Sequence, residues 1–421
     1  MIVTPSRIGK VDRVFIAPPS KSYTHRALIA GSLGSGITTI LHPLFAEDTR
    51  LTINALRTLG VSISTTPEQI IITGCNGRLL NGEKTLLDLD NSGTSLRLLT
   101  SLALLCRNPV ILTGSQRMQE RPIAPLAQAL LSLGGSVVFL KNEGYPPLKV
   151  SGHLKGGRVI VDGTISSQFI SSILLAAPYA ETEVELVIPS PPSSQSYLDV
   201  TLDVMRAFGA HVIRDGYTWF SVNTSKPYAG KTYAIEGDYS SASYFLAIAA
   251  ICGGRVTVKN LRPDSVQGDR KFPDALGSMG CRVKYAGDAV TVERTGDLHG
   301  ITIDMSSSPD TVQTLCMVAA MATTPTTITG IGHLKFKESD RITSTAERLR
   351  ALGGNVVVEE DLITISPSHL HGALIDPEND HRTAMSFAVL GLGIGGVTIT
   401  HAECVNKSFP GFWDILAGIE K

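Results

Sequence analysis

The chain is 421 residues long, 43% hydrophobic and 18% charged, with 37 lysines and arginines against 38 acidic residues. That length favours two or more cores, the composition excludes a disordered chain, and a net charge of −1 argues against a nucleic-acid binder. With charges so nearly balanced, any anion must be met by locally gathered cations, and six cysteines with no CxxC pair give no zinc or thioredoxin-type motif.

Residues 1–19 lack the apolar core of a secretion signal, and the longest apolar stretches, such as 385–396, are too short to span a bilayer. A soluble cytoplasmic protein is expected. From there one phrase recurs along the chain: an amphipathic segment, a large apolar residue, Gly, then a β-branched run. It reads LRTLGVSIS at Gly60, LLSLGGSVV at Gly134, VMRAFGAHV at Gly209, LGSMGCRVK at Gly280 and LRALGGNVV at Gly353, at spacings of 74, 75, 71 and 73. Gly after a helical pattern stops a helix, and the β-branched run predicts a strand.

A second phrase keeps the same beat. It opens on Ser or Asp near Ser20, Ser92, Ser166, Ser240, Asp310 and Asp380, at spacings of 72, 74, 74, 70 and 70, and predicts a helix rich in Ala, Leu and Ser. Together the phrases predict an α/β protein of six strand–helix–strand–helix–strands units. The sixth copy of the first phrase is cut short after Phe412, and residues 2–8 are expected to supply its missing strand. The six units group three and three: 21–235 as one domain, and 1–20 with 236–421 as the other.

The second phrase also carries the chemistry. A helix N-terminus offers unpaired backbone N–H groups and partial positive charge, which suit phosphate or carboxylate. Here the sequence adds cations and hydroxyls: Lys21, Ser22 and Arg26; Asn91, Gly93 and Arg97; Ser166, Ser167 and Gln168; His381 and Arg382. Two loops add more, with Arg117 and Arg121 before Pro122, and five charges in the seven residues from Lys335 to Arg341. Lys407 stands near the chain end. The GKT at 230–232 is no P-loop, because Ser225 occupies the place of the first Gly.

The segments PPSKSYTHRAL, NSGTSLRLL, QRMQERPI, DGTISSQF, SYLDVTLDVM, EGDYSSASYF, PDTVQTL, FKESDRI, NDHRTAM and KSFPGF, in this order and on this period, resemble the EPSP synthase (3-phosphoshikimate 1-carboxyvinyltransferase) family from about Ala17 to Phe412. The resemblance implies two similar domains, each of three βαβαββ repeats, with the active site in the interdomain cleft. It implies transfer of the enolpyruvyl group of phosphoenolpyruvate (PEP) to the 5-hydroxyl of shikimate-3-phosphate, on the route to chorismate and aromatic amino acids. No metal or organic cofactor, nucleic acid or membrane is implied, and a monomer is expected.

Carried over by motif, the resemblance places shikimate-3-phosphate on Lys21, Ser22, Arg26, Ser166, Ser167, Gln168, Ser194, Tyr197, Asp310 and Lys337. It places PEP on Lys21, Asn91, Gly93, Arg121, Gln168, Arg341, Arg382 and Lys407. The catalytic group is Asp310, accepting the hydroxyl proton, Glu338, moving the proton at the PEP methylene carbon, and Lys21, assisting. Gly93 leaves room for glyphosate, so competition with PEP is expected. Pro19 and Asp90 stand where the family commonly has Gly, and His333 where many members have Asn. The alternatives are an enolpyruvyl transferase acting on UDP-N-acetylglucosamine and a non-catalytic anion-binding protein on the same fold. Many transferases of the former kind carry a Cys in the loop at 116–121, where this chain has none, and the latter would be expected to lose Asp310 and Glu338.

Overall fold

The computed structural model describes residues 1–419. It divides into two compact units: Pro19–Ile235, and Met1–Pro18 with the described residues from Glu236 onward.

The Pro19–Ile235 unit holds six helices: α1 (Lys21–Leu33), α2 (Glu47–Thr58), α3 (Gly93–Leu102), α4 (Ala124–Ser132), α5 (Gln168–Ala176) and α6 (Ser196–Ala207). Three four-stranded sheets accompany them, all of one pattern: a parallel pair at one edge, then two antiparallel pairings. In the first sheet the parallel edge strand is Thr232–Ala234, from the far end of the unit, lying beside Ile37–Leu41. α1, α3 and α5 are buried on nearly all sides, as central helices must be. Small hydroxyl residues let helices approach and satisfy one another: Ser101 of α3 meets Ser172 of α5 at 2.7 Å, and Thr52 of α2 meets Ser95 of α3 at 2.8 Å.

The other unit repeats the plan with α7 (Tyr239–Cys252), α8 (Phe272–Ser278), α9 (Val312–Ala319), α10 (Arg341–Ala351), α11 (His381–Ile394) and α12 (Phe412–Ile419). Every residue of α7 from Tyr239 to Ile251 is buried, and α7, α9 and α11 pack on one another. Two of its sheets have four strands, while the third has only Leu374–Ile375 beside Thr398–Ile399.

The helix–Gly–strand phrase is a physical device. Gly60, Gly134, Gly209, Gly280 and Gly353 all have φ between 88° and 105°, a left-handed conformation that costs a residue bearing Cβ and turns the chain out of the helix. The expected strand over residues 2–8 does not form. Val3 alone exchanges hydrogen bonds with Ile399, at 3.0 and 2.7 Å, and the N-terminal strand is instead Val11–Ile16, parallel to Gly254–Lys259. The expected helix start at Asp310 is also displaced: Pro309–Thr311 is a 3-10 turn, and α9 opens at Val312. No described helix is long and apolar enough to cross a membrane.

Candidate active site

In the Pro19–Ile235 unit, the first turns of five helices are tied together by side chains. Lys21 opens α1 and pairs through Nζ with Asp48 Oδ2 of α2 at 3.1 Å, the carboxylate being almost fully buried. Arg26, one turn on and 1% exposed, donates from Nε to Thr201 Oγ1 at 2.7 Å. Its other nitrogens donate to the Ser22 carbonyl at 3.0 Å and the Tyr197 carbonyl at 3.2 Å, so it fixes α1 to α6. Burial pulls its guanidinium down to about 10, against Tyr197 and Tyr23, and it stays charged at neutral pH.

Arg97, inside α3, performs the same task for α5. Its Nη1 donates to Ser166 Oγ at 3.2 Å and Gln168 Oε1 at 3.0 Å, and Nη2 reaches the Pro122 carbonyl at 3.3 Å. Gln168 Nε2 donates to Thr94 Oγ1 at 3.0 Å. Ser167 Oγ donates to the Ser194 carbonyl at 3.1 Å, and Ser194 holds a φ of 55°. Neither Ser20 nor Ser167, the capping residues of α1 and α5, uses its side chain to cap its helix.

Gly93 and Arg121 are in close apposition. A Cβ on Gly93 would lie 2.6 Å from the guanidinium carbon of Arg121 and from both its terminal nitrogens. Arg121 is buried, as is Asn91. Asp90, an exposed neighbour, takes a φ of 45°, which explains why glycine suits this position, and its carbonyl accepts Ser115 N–H at 3.0 Å. The structure thus brings Lys21, Ser22, Arg26, Ser166, Ser167, Gln168, Ser194 and Tyr197 into one hydrogen-bonded end of the unit, with Gly93 against Arg121.

The second unit gathers charges instead. Arg341, its side chain 2% exposed, is the hub: Nη1 meets Asp310 Oδ1 at 3.0 Å, Nη2 meets Glu338 Oε2 at 2.9 Å, and Nε meets Asp380 Oδ2 at 2.8 Å. Burial works against its charge, but Asp380, Glu338 and Asp310 outweigh burial and hold its pKa above the usual value. Arg382 Nη2 meets the other Asp310 oxygen at 2.7 Å, and Nη1 donates to the Asp310 carbonyl at 3.0 Å. Asp380 is fully buried and caps α11 by accepting Arg382 N–H at 2.9 Å. Burial would raise its carboxyl, yet Arg341 and then His381 keep it below the ordinary value.

Asp310 and Glu338 keep more exposure, at 18% and 12% of their side chains, than the guanidinium between them. Lys337 and His333 are half-buried nearby in sequence, and Lys407 is buried at the end of a 3-10 helix packed on α11. Burial, then the Lys337 ammonium, drives the His333 imidazole down to about 3, so it is neutral at physiological pH. Sequence reasoning passed over Asp48, Thr201, Asp269 and Tyr244. Asp48, in AEDTR at a helix start, carried a weak signal; Thr201 and Tyr244 carried none, since only packing brings them to Arg26 and Arg382.

The family described as EPSP synthase (3-phosphoshikimate 1-carboxyvinyltransferase) matches residues 6–416. The chain is 63% identical to the 3-phosphoshikimate 1-carboxyvinyltransferase of Methanoregula boonei over 420 residues, covering 100% of both chains. Against the protein of the same name from Methanoculleus marisnigri it is 60% identical over 99% of each. An EPSP synthase structure from Acinetobacter baumannii superimposes with a TM-score of 0.82 at 29% identity, covering 99% of this chain and 98% of that one. The chain belongs to the EPSP synthase family.

Proposed function

We propose that this protein transfers the enolpyruvyl group of PEP to the 5-hydroxyl of shikimate-3-phosphate, releasing phosphate, and that the two constellations serve this one reaction. The observation that carries the acid–base assignment is Arg341, which holds Asp310 on one nitrogen and Glu338 on another. Enolpyruvyl transfer moves two protons: one leaves the attacking hydroxyl, and one joins the PEP methylene carbon and departs again when phosphate is lost. Two carboxylates fixed by one rigid guanidinium fork suit that pair of transfers. Asp310 accepts the hydroxyl proton and Glu338 exchanges the proton at carbon, with Lys21 assisting.

Shikimate-3-phosphate is assigned to Lys21, Ser22, Arg26, Ser166, Ser167, Gln168, Ser194, Tyr197, Asp310 and Lys337. The starts of α1 and α5, which have no side-chain cap, leave N–H groups for its phosphate. A neutral His333 offers both a donor and an acceptor, as the amide of an Asn there would. PEP is assigned to Lys21, Asn91, Gly93, Arg121, Gln168, Arg341, Arg382 and Lys407. Glyphosate, an anion shaped like PEP, competes for that set. The protein acts as a cytoplasmic monomer, which light scattering at the mass of one chain would check. Phosphate release from PEP tests the activity: it is expected with shikimate-3-phosphate, absent with UDP-N-acetylglucosamine, and abolished by Asp310→Ala or Glu338→Gln. Release with the sugar nucleotide alone would overturn the reading.

A further inference from the structure

The 3-10 turn packed against that of Asp310 carries a second carboxyl that the mechanism above leaves unused. Asp269 sits in the 3-10 turn Gly268–Lys271 and is only 5% exposed. Its Oδ2 takes a short hydrogen bond from the Ser240 hydroxyl of α7, while its Oδ1 is fully buried with no hydrogen-bond partner among the described residues. The turn is tied to the loop that carries Asp310: Ser308 Oγ donates to the Gly268 carbonyl at 2.5 Å, and Lys271 Nζ donates to Ser307 Oγ at 3.0 Å. The charged groups acting on Asp269 are Asp310, Arg382 and Asp238. The cations of its own turn are engaged elsewhere, Arg270 beside the Tyr239 hydroxyl and Lys271 on Ser307. On the neighbouring α8, Asp274 accepts from Tyr285.

A buried carboxylate oxygen without a donor is costly, and two neighbouring carboxylates cannot both ionise cheaply. We propose that Asp269 is the proton-holding partner of Asp310, a positioning residue that keeps a proton while Asp310 is ionised and, once ionised itself, raises the proton affinity of Asp310. Burial first, and the Asp310 charge second, push Asp269 up to about 7, which places the exchange in the working range. Such a partner answers a difficulty in the site: flanked by Arg341 and Arg382, Asp310 would be a poor base, and a second negative charge behind it restores basicity. In the reaction itself the hydroxyl proton still passes to an Asp310 oxygen, and no bond to Asp269 forms or breaks.

The inference rests on Asp310 being the base, so two measurements are paired. Wild-type kcat should rise as pH passes about 7, and Asp269→Asn should lack that rise with both KM values retained. The wild-type-to-variant ratio should start near unity in acid and grow by about threefold per unit of basicity lost, for a Brønsted slope near one-half. A ratio constant across pH, or a variant indistinguishable from wild type throughout, overturns the proposal. Carboxyl titration followed by carbon-13 resonance on the full chain is independent of activity. A carboxyl with a midpoint near 7 should vanish in Asp269→Asn and move to lower pH in Asp310→Asn. No such carboxyl overturns the proposal outright. A carboxyl that answers to Asp310→Asn in an enzyme whose kcat ignores Asp269→Asn would keep the coupling and remove Asp310 as the base.

Discussion

The two units use one backbone device for opposite electrostatic ends. In the Pro19–Ile235 unit the capping residues of α1, α3 and α5 are Ser20, Ser92 and Ser167, and only Ser92 caps its helix through the side chain. In the other unit Asp238, Asp340 and Asp380 cap α7, α10 and α11 with their carboxylates. Hydroxyl caps leave a helix start electropositive and open to an anion; carboxylate caps neutralise it from within. The first unit therefore presents donors awaiting a ligand. The second is already an ionic network, in which Arg341 and Arg382 are held by Asp310, Glu338 and Asp380.

The contrast breaks most visibly at Arg341. Arg341→Ala takes the guanidinium from Glu338 and from the fully buried Asp380, and leaves Asp310 to Arg382 alone; it should destabilise the protein by about 3–5 kcal/mol, read by urea unfolding. Lys21→Ala, removing a partner of a single carboxylate, should cost far less stability while weakening substrate. Equal losses from the two changes would erase the distinction between network and receptor.

Asp310→Asn keeps the shape of the hub and removes its base. Turnover should fall by about 10²–10⁴-fold with smaller changes in KM, measured by steady-state phosphate release. A loss confined to KM would make Asp310 a binding group like those of the first unit.

Gly93→Ala sharpens the receptor side. The added methyl must displace the Arg121 guanidinium rather than backbone, so stability should change little. Loss of one charge-assisted contact should raise the PEP KM by roughly 10-fold or more, leaving that for shikimate-3-phosphate nearly constant. A parallel rise in both would show that Arg121 is not specific to PEP.

The smallest effect is expected at His333. Its folded pKa, about 3, lies below the unfolded value, so its contribution to stability is present above pH 6.5 and lost as pH falls through the folded value. His333→Asn should flatten acid unfolding in that window and leave the shikimate-3-phosphate KM unchanged between about pH 6 and 8. A KM that tracks pH there in wild type alone would mean that His333 titrates.

The repeats were readable because they are local: each Gly that ends a helix needs positive φ, and every copy must spend a residue on it. The helix starts were readable to within two residues, Asp310 included, where Pro309 first opens a 3-10 turn and the α-helix follows at Val312. Sheet closure was not readable. Thr232–Ala234 and Val11–Ile16 join partners far away along the chain, and no short-range pattern records a partner. Within the candidate site, cations and hydroxyls at helix starts stood out. Asp48 and Asp269 did not, because a buried carboxylate and a solvated one look alike in a sequence, and only packing tells them apart.

The strand Val11–Ile16 has a consequence for synthesis. Its partner lies about one whole unit downstream, with Asp12 and Arg255, paired across the two strands, separated by 243 positions. At roughly 5–20 residues per second on the ribosome, the nascent strand waits about 12–50 seconds before Gly254–Lys259 emerges. By the end of that interval the Pro19–Ile235 unit, whose own first sheet is closed by Thr232–Ala234, has every strand it needs. The leading segment meanwhile carries an unpaired strand whose Val11 and Phe15 still lack the cover they gain on folding, Phe15 by stacking on Phe245, and it is the stretch a chaperone would have most reason to hold.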